Sequence, residues 1–293
     1  MKESPIKAFI DPIDNHRKRE KGVLVYPVYS RRSGGLSVGI NLFPAEKHCS
    51  FDCPYCEVFP FSNDSEFSLE LMEDDLRLTV ASALEQNIPV RDICFSGNGE
   101  PTLSPKFPEA LEKAACARTA LVPAAELVVI TNGSFLLEEK LFSLLACSAL
   151  SLNLNIWLKL DAGTNLWYKK MNRSVLPFEK IIEKTKEFAA GAPVTIQTMI
   201  CAVDGEGPPK EEAEAWEKLL VELVSSGNAK ENSGIRKVQI YGKARPAPED
   251  PKASALPVSY LEERAASLRV ALASAFKAEN AEKNFIPPVE VFQ

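Results

Sequence analysis

The stretch His48-Cys49-Ser50-Phe51-Asp52-Cys53-Pro54-Tyr55-Cys56 places three cysteines at i, i+4 and i+7. Of the chain's seven cysteines, the other four, Cys94, Cys116, Cys147 and Cys201, stand alone among apolar or small residues. They read as buried small hydrophobes. A tight group of thiols in a chain that otherwise scatters its cysteines points to a metal site. Just before it, Val38, Ile40 and Leu42 alternate with Gly39, Asn41 and Phe43, as in a strand. Just after it, Leu69, Met72, Leu76, Val80 and Leu84 recur at helical spacing. The cysteines therefore sit on a strand-to-helix connection.

That unit recurs along the chain. Ile93-Cys94-Phe95 is a short apolar strand ending in Ser96-Gly97-Asn98-Gly99-Glu100-Pro101. Ser104 as N-cap and Pro105 at the first helical position open a helix to about Arg118. The strand Leu127–Ile130 stops at Asn132-Gly133, and Leu136 to Cys147 reads as helical. Leu154–Leu160 is a strand running into Asp161-Ala162-Gly163. The helix Phe178–Ala190, the strand Val194–Ile200, the helix Glu211–Ser225, the strand Lys237–Tyr241 and the helix Ser259–Phe276 follow, and the tail from Asn284 reads as extended.

Six strands alternating with six helices predict an α/β fold with a parallel sheet, open or barrel-like. Chemistry then belongs at the C-terminal ends of the strands. The polar motifs fall there: the cysteines, Gly97–Glu100, Thr131-Asn132-Gly133 and Asp161. No linker or shift in composition divides the chain. The expectation is a leader over residues 1–34, with a short edge strand within Val23–Tyr29, and one domain over 35–293.

The totals are those of a globular protein, with 293 residues, 45% hydrophobic and 25% charged. No apolar run approaches the roughly 18 residues of a membrane span. The polar N-terminus has no signal core. A cytoplasmic protein with reduced thiols and no membrane association is expected. A net charge of −6 argues against a broad nucleic-acid surface, although His16–Lys21 is a basic run and Arg31-Arg32 follows it.

The thiol loop admits several chemistries. Zinc normally takes two separated ligand pairs, and His48 adjoins Cys49 too closely to close the same tetrahedron easily. A redox Cys53/Cys56 pair leaves Cys49 unexplained. An electron-carrier cluster takes four cysteines, and this loop supplies three. Three thiolates on a four-iron cluster leave one iron open, as catalysis requires. Pro54 stiffens the turn. Phe51 and Tyr55 either exclude water from the site or simply pack.

The spacing resembles that of the radical S-adenosylmethionine superfamily. The text around it, Ser30–Leu42 leading into Cys49–Cys53, is similar to the wyosine-synthesis-related Fe–S oxidoreductase group. So are Phe95–Leu103, Leu158–Gly163 and Gln239-Ile240-Tyr241 with Ala244-Arg245-Pro246. The resemblance runs from about Val25 to Pro246. It implies a partial (β/α)6 TIM-like barrel with mostly parallel strands, and a [4Fe-4S] cluster on Cys49, Cys53 and Cys56. S-adenosyl-L-methionine would chelate the fourth iron and be cleaved reductively to methionine and a 5′-deoxyadenosyl radical. That radical would abstract hydrogen from an unidentified substrate, with electrons from an external donor such as flavodoxin or ferredoxin.

By the same resemblance Gly97, Asn98, Gly99 and Glu100 support the methionine ammonium. Asn98 departs from the commonest form of that motif. Thr131 and Asn132 bind the methionine carboxylate or ribose, unless they only cap the turn. Lys159 and Asp161 contact the carboxylate and ribose, unless they form a structural ion pair, and Tyr55 lies beside the cofactor. Gln239 and Tyr241 lie where the last strand passes the adenine. Arg31, Arg32, Lys169, Lys170, Arg173 and Arg245 are candidates for an anionic substrate. Cys49 is the first cysteine, so no upstream group offers a second cluster. With the acidic charge, this makes tRNA a less favoured substrate. An activase for a glycyl-radical enzyme and a non-catalytic Fe–S or metal-binding protein are the competing readings.

Overall fold

The structure, a computed structural model, describes residues 22–58, 60–227, 233–245, 247, 250, 252–277 and 285–292. The basic run His16–Lys21 and Pro246 lie outside the described residues. Those described cluster into two compact units.

The first unit takes the described residues up to Cys49, with Pro60–Thr131 and Ser151–Asn155. It holds β1 (Val25–Ser30), β2 (Gly35–Ile40), α1 (Leu69–Glu85), β3 (Val90–Phe95), α2 (Phe107–Leu121) and β4 (Glu126–Thr131). β1 pairs antiparallel with β2, from Val25 opposite Ile40 to Ser30 opposite Gly35. β2, β3 and β4 run parallel. Register stacks Val38, Ile93 and Leu127 in one row and Ile40, Phe95 and Val129 in the next, all buried. Parallel strands covered on both faces read as continuous apolar runs, and these do. α1 is opened by Ser68, whose hydroxyl accepts the Leu71 N–H at 3.2 Å. Its buried stripe is Met72, Leu76, Thr79, Val80 and Ala83. α2 packs beside α1, and Phe107 meets Phe95 edge to face at 5.4 Å.

The second unit takes the described residues of 50–59, Asn132–Leu150 and the chain from Ile156 onward. Its elements are α3 (Glu139–Ser151), β5 (Leu154–Lys159), α4 (Asn165–Asn172), α5 (Phe178–Gly191), β6 (Pro193–Ile200), β7 (Ala202–Val203), α6 (Lys210–Gly227), β8 (Gly234–Gly242), β9 (Ala253–Ser254), α7 (Val258–Lys277) and β10 (Val289–Phe292). β5, β6, β8 and β10 are parallel neighbours in that order. β7 and β9 form a small antiparallel ribbon. α6 packs against both α5 and α7. The alternation and the parallel pairing make this an α/β fold of the partial (β/α)6 TIM-like class, with mostly parallel strands.

Several local expectations are corrected. The helix after Glu100 starts at Phe107, because a 3-10 turn, Pro101–Leu103, intervenes and Ser104 closes that turn instead of capping α2. A second 3-10 turn, Ser134–Leu137, delays α3 to Glu139. α4 was not anticipated; it is short, and its N-cap is Thr164, which accepts the Trp167 N–H. The tail is extended, as expected, and its Val289–Phe292 stretch pairs as β10. Cys94 and Cys201 are buried as expected, but Cys116 and Cys147 are exposed. α2 buries Ala114, Ala115 and Ala117, and the rotation of about 100° per residue turns Cys116 outward between them. Among the described residues no helix is long and apolar enough to cross a membrane.

Candidate functional site

In the first unit the residues leading into the thiol loop are laced to the Gly97–Glu100 segment. Asn41, fully buried at the end of β2, accepts the N–H groups of Phe43 at 3.2 Å and Asn98 at 3.1 Å. The Asn98 amide donates to the Phe43 carbonyl at 3.0 Å. His48, one residue before Cys49, donates its N–H to the Asn98 carbonyl at 3.0 Å and accepts the Glu100 N–H at 2.9 Å. Together these bonds make a parallel bridge between His48 and Gly99. Only glycine fits at 99. A Cβ there would lie 1.8 Å from the His48 carbonyl oxygen, and φ is +155°.

Glu100 is 2% exposed. One carboxylate oxygen, Oε1, accepts from the Thr102 N–H at 3.1 Å, the Thr102 hydroxyl at 2.7 Å and the Thr131 hydroxyl at 2.8 Å. Thr131 therefore stands as a support for Glu100. Three donors on one oxygen hold the carboxylate in place.

The second unit holds Cys53, Cys56, Tyr55, Asn132, Lys159 and Asp161. Asp161 sits just past β5 with its side chain fully buried. Its Oδ1 accepts the Met199 N–H at 2.8 Å and the Lys159 ammonium at 3.3 Å. Its Oδ2 accepts the Asn172 amide at 2.8 Å and the Tyr55 hydroxyl. These four donors match the lone-pair capacity of a carboxylate. Lys159 also donates to the Tyr241 hydroxyl and lies over the rings of Tyr55 at 4.9 Å and Tyr241 at 5.0 Å. Burial works against the Lys159 ammonium, but Asp161 and Tyr241 overcome it, so its pKa stands above the usual lysine value. Burial and then the Asp161 charge push the Tyr55 phenol well above its ordinary range, so it stays a donor.

Asn132 turns its amide N–H to the Ser50 hydroxyl at 3.0 Å, and its carbonyl caps Ser134 at 2.9 Å. Phe51 meets Tyr168 edge to face at 5.6 Å. Gln239 is fully buried and bonded to Gln197 at 2.8 Å. Of the basic candidates, Arg173 pairs with Asp52 and Asp250, Arg245 with Glu57, and Lys170 reaches Glu206 at 4.0 Å.

No disulfide joins Cys49, Cys53 or Cys56, and each is half-buried. Desolvation, then the Asp161 charge, pushes the Cys53 thiol up to about 12. Among the described residues no three His, Cys, Asp or Glu side chains already converge as a closed metal site. Ligands of this kind are rarely assembled before the metal arrives, and thiols lose their protons to it. The donor chemistry nevertheless fits an iron–sulfur group. Three unbridged thiols lie within eight residues, and one sulfur has an amide N–H directed at it, from Asn172 at 3.6 Å.

Three participants were missed by the sequence reading. Asn41 gave one signal, a polar residue in a buried strand. Asn172 and Glu212 gave none. Glu212 accepts the Gly163 N–H and, at 2.6 Å, the Thr164 hydroxyl. Glu212, Asp161, Trp167, Trp216, Tyr260 and Arg264 are among the residues that line one cleft.

The comparisons agree with this picture. The sequence profile of the radical SAM superfamily matches residues 47–217, well over half of the chain. A UPF0026 protein of Helicobacter pylori (strain J99) is 25% identical over 173 residues, covering 57% of this chain and 54% of its own length. The UPF0026 protein MJ1312 of Methanocaldococcus jannaschii is 31% identical over 144 residues, covering 46% and 42%. The chain thus spans about half the length of these curated relatives. In fold it is similar to the crystal structure of a radical SAM methyltransferase from Sphaerobacter thermophilus. The TM-score is 0.60 at 14% identity, covering 90% of this chain and 68% of the other. From the thiol loop to the parallel strands whose ends carry Glu100 and Asp161, the chain belongs to the radical SAM superfamily.

Proposed function

We propose that the chain is a radical SAM enzyme acting on a substrate still to be identified. In this reading Cys49, Cys53 and Cys56 hold a [4Fe-4S] cluster, and Gly97–Glu100, Thr131, Asn132, Lys159, Asp161 and Tyr55 form the S-adenosyl-L-methionine site. The observation that carries it is the His48–Gly99 bridge, which ties the segment entering the thiol loop to the loop bearing Glu100. A cluster held by these cysteines would supply the electron for reductive cleavage of S-adenosylmethionine to methionine and a 5′-deoxyadenosyl radical.

The chain's own residues do the rest. Gly99 lets backbone approach closely where a side chain could not fit. Glu100, fixed by Thr102 and Thr131, offers its carboxyl group to an ammonium group. Lys159 stays cationic and suits a carboxylate. Asp161, with all its acceptor positions engaged, orients Lys159, Tyr55 and Asn172 around the thiol loop. Buried Phe51 and Tyr55 exclude water. Electrons come from an external donor such as flavodoxin or ferredoxin. The acidic net charge keeps tRNA a less favoured substrate.

The test is anaerobic reconstitution with iron and sulfide. The expected result is about four irons per chain and release of 5′-deoxyadenosine on adding dithionite and S-adenosylmethionine. Cys53→Ala should abolish both. One zinc per chain in place of iron, or undiminished cleavage by Cys53→Ala, overturns the reading.

A further inference from the structure

Asn172, the last residue of α4, holds the thiol loop in two ways. The Asn172 carbonyl accepts the Asp52 N–H at 3.0 Å. The Asn172 amide nitrogen lies 3.6 Å from the Cys53 sulfur, 3.4 Å from the Tyr55 hydroxyl and 2.8 Å from Asp161 Oδ2. Asn172 is 1% exposed, so water does not compete for this amide. The carboxylate also settles which way the amide points. Asp161 Oδ2 accepts only, so the NH2 end must face it, and the same NH2 end faces the sulfur. Asp161 is itself held by the Met199 N–H and Lys159. The chain of restraint therefore runs from β6 backbone through Asp161 to Asn172 to Cys53.

We propose that Asn172 is a positioning residue for the iron–sulfur group, setting its reduction potential through an N–H···S bond to Cys53; this rests on the cofactor reading above. The physical reason is charge. Reduction adds an electron whose negative charge spreads onto the cysteine sulfurs. An N–H dipole aimed at a sulfur stabilises that added charge, so it raises the potential and makes reduction easier. The same bond strengthens when Cys53 passes from thiol to thiolate, because hydrogen bonds to ionised acceptors are the stronger kind. In the cluster-free chain the bond is long and weak. Ligation is the condition under which it acts.

The role predicts a measurement that simple packing would not move. Full-length protein is reconstituted anaerobically as wild type, Asn172→Leu and Asn172→Gln. Iron and sulfide are counted, and the midpoint potential is read by redox titration followed by EPR. Asn172→Leu removes both N–H groups while keeping similar volume. It should retain its iron with a midpoint shifted to more negative values, and Asn172→Gln should return it toward wild type. A fully loaded Asn172→Leu with an unchanged midpoint overturns the proposal.

A second measurement needs no variant. Pulsed EPR on reduced wild-type protein labelled with 15N-asparagine should show a weak nitrogen coupling to the cluster, and its absence overturns the proposal even if Asn172→Leu does not fold. A wild-type chain that takes up no iron and sulfide overturns the cofactor reading and this one together. An iron-loaded protein whose midpoint is the same in wild type and Asn172→Leu, or whose wild type shows no nitrogen coupling, overturns this one alone.

Discussion

Gly99 shows how much a single position can decide. Its Cα lies so near the His48 carbonyl that a methyl group has nowhere to go but into backbone, which cannot rotate aside. Gly99→Ala should break the His48–Gly99 bridge and cost about 1–3 kcal/mol, the usual range for overpacking. It should also lower S-adenosylmethionine affinity, because Glu100 donates its N–H to the same His48 carbonyl. Denaturant melts of the cluster-free chain check the first effect and equilibrium binding to the reconstituted protein checks the second. Wild-type values in both would show that the loop can yield. Residue identity made the Gly-Asn-Gly-Glu motif conspicuous in the sequence. It did not show that Thr131 would donate to Glu100, because that contact joins the ends of two different strands.

At the scale of elements, the connection after β5 is held by the first turn of α6. Glu212 is 4% exposed and accepts from Gly163 and Thr164, and a Cβ at Gly163 would lie 2.1 Å from the Trp216 nitrogen. Helix and loop thus approach backbone to backbone, with one carboxylate satisfying the loop's donors. Burial raises the Glu212 carboxyl above its usual range, while its bonds to Gly163 and Thr164 act the other way. Glu212→Ala should leave two donors without an acceptor and cost about 1–3 kcal/mol. Chemical denaturation gives the number, and an unshifted midpoint would mean that water reaches those donors. Helices α1, α5, α6 and α7 were legible within about two residues because each carries an apolar stripe at helical period. The starts of α2 and α3 were not. The 3-10 turns before them use the same proline, serine and glycine signals that would open an α-helix.

For the whole molecule, ligand binding and folding are linked. A ligand that binds only the folded chain stabilises it in proportion to its saturation, by about 2.7 kcal/mol at 100 times its dissociation constant. S-adenosylmethionine should therefore raise the melting temperature of the cluster-loaded chain in anaerobic thermal melts. It should do much less for the cluster-free chain, where the open iron is absent. An equal rise in both would separate nucleotide binding from the thiol loop and weaken the proposed site.

The sequence by itself determined the alternation of the six main strands and helices, the parallel class of the sheet and the count of three thiols on one loop. Those properties depend on local period and on residue identity, and both can be read along the chain. Only the tertiary structure decided which groups hold the site in place. Asn41 meets Asn98 across 57 residues, Asp161 meets Tyr55 across 106, and Asn172 meets Cys53 across 119. No spacing rule reaches over such distances. These partners are chosen by which strand ends and helix ends the packed core brings together. Each bond forms there because a buried polar group without a partner would cost more than the chain could recover elsewhere.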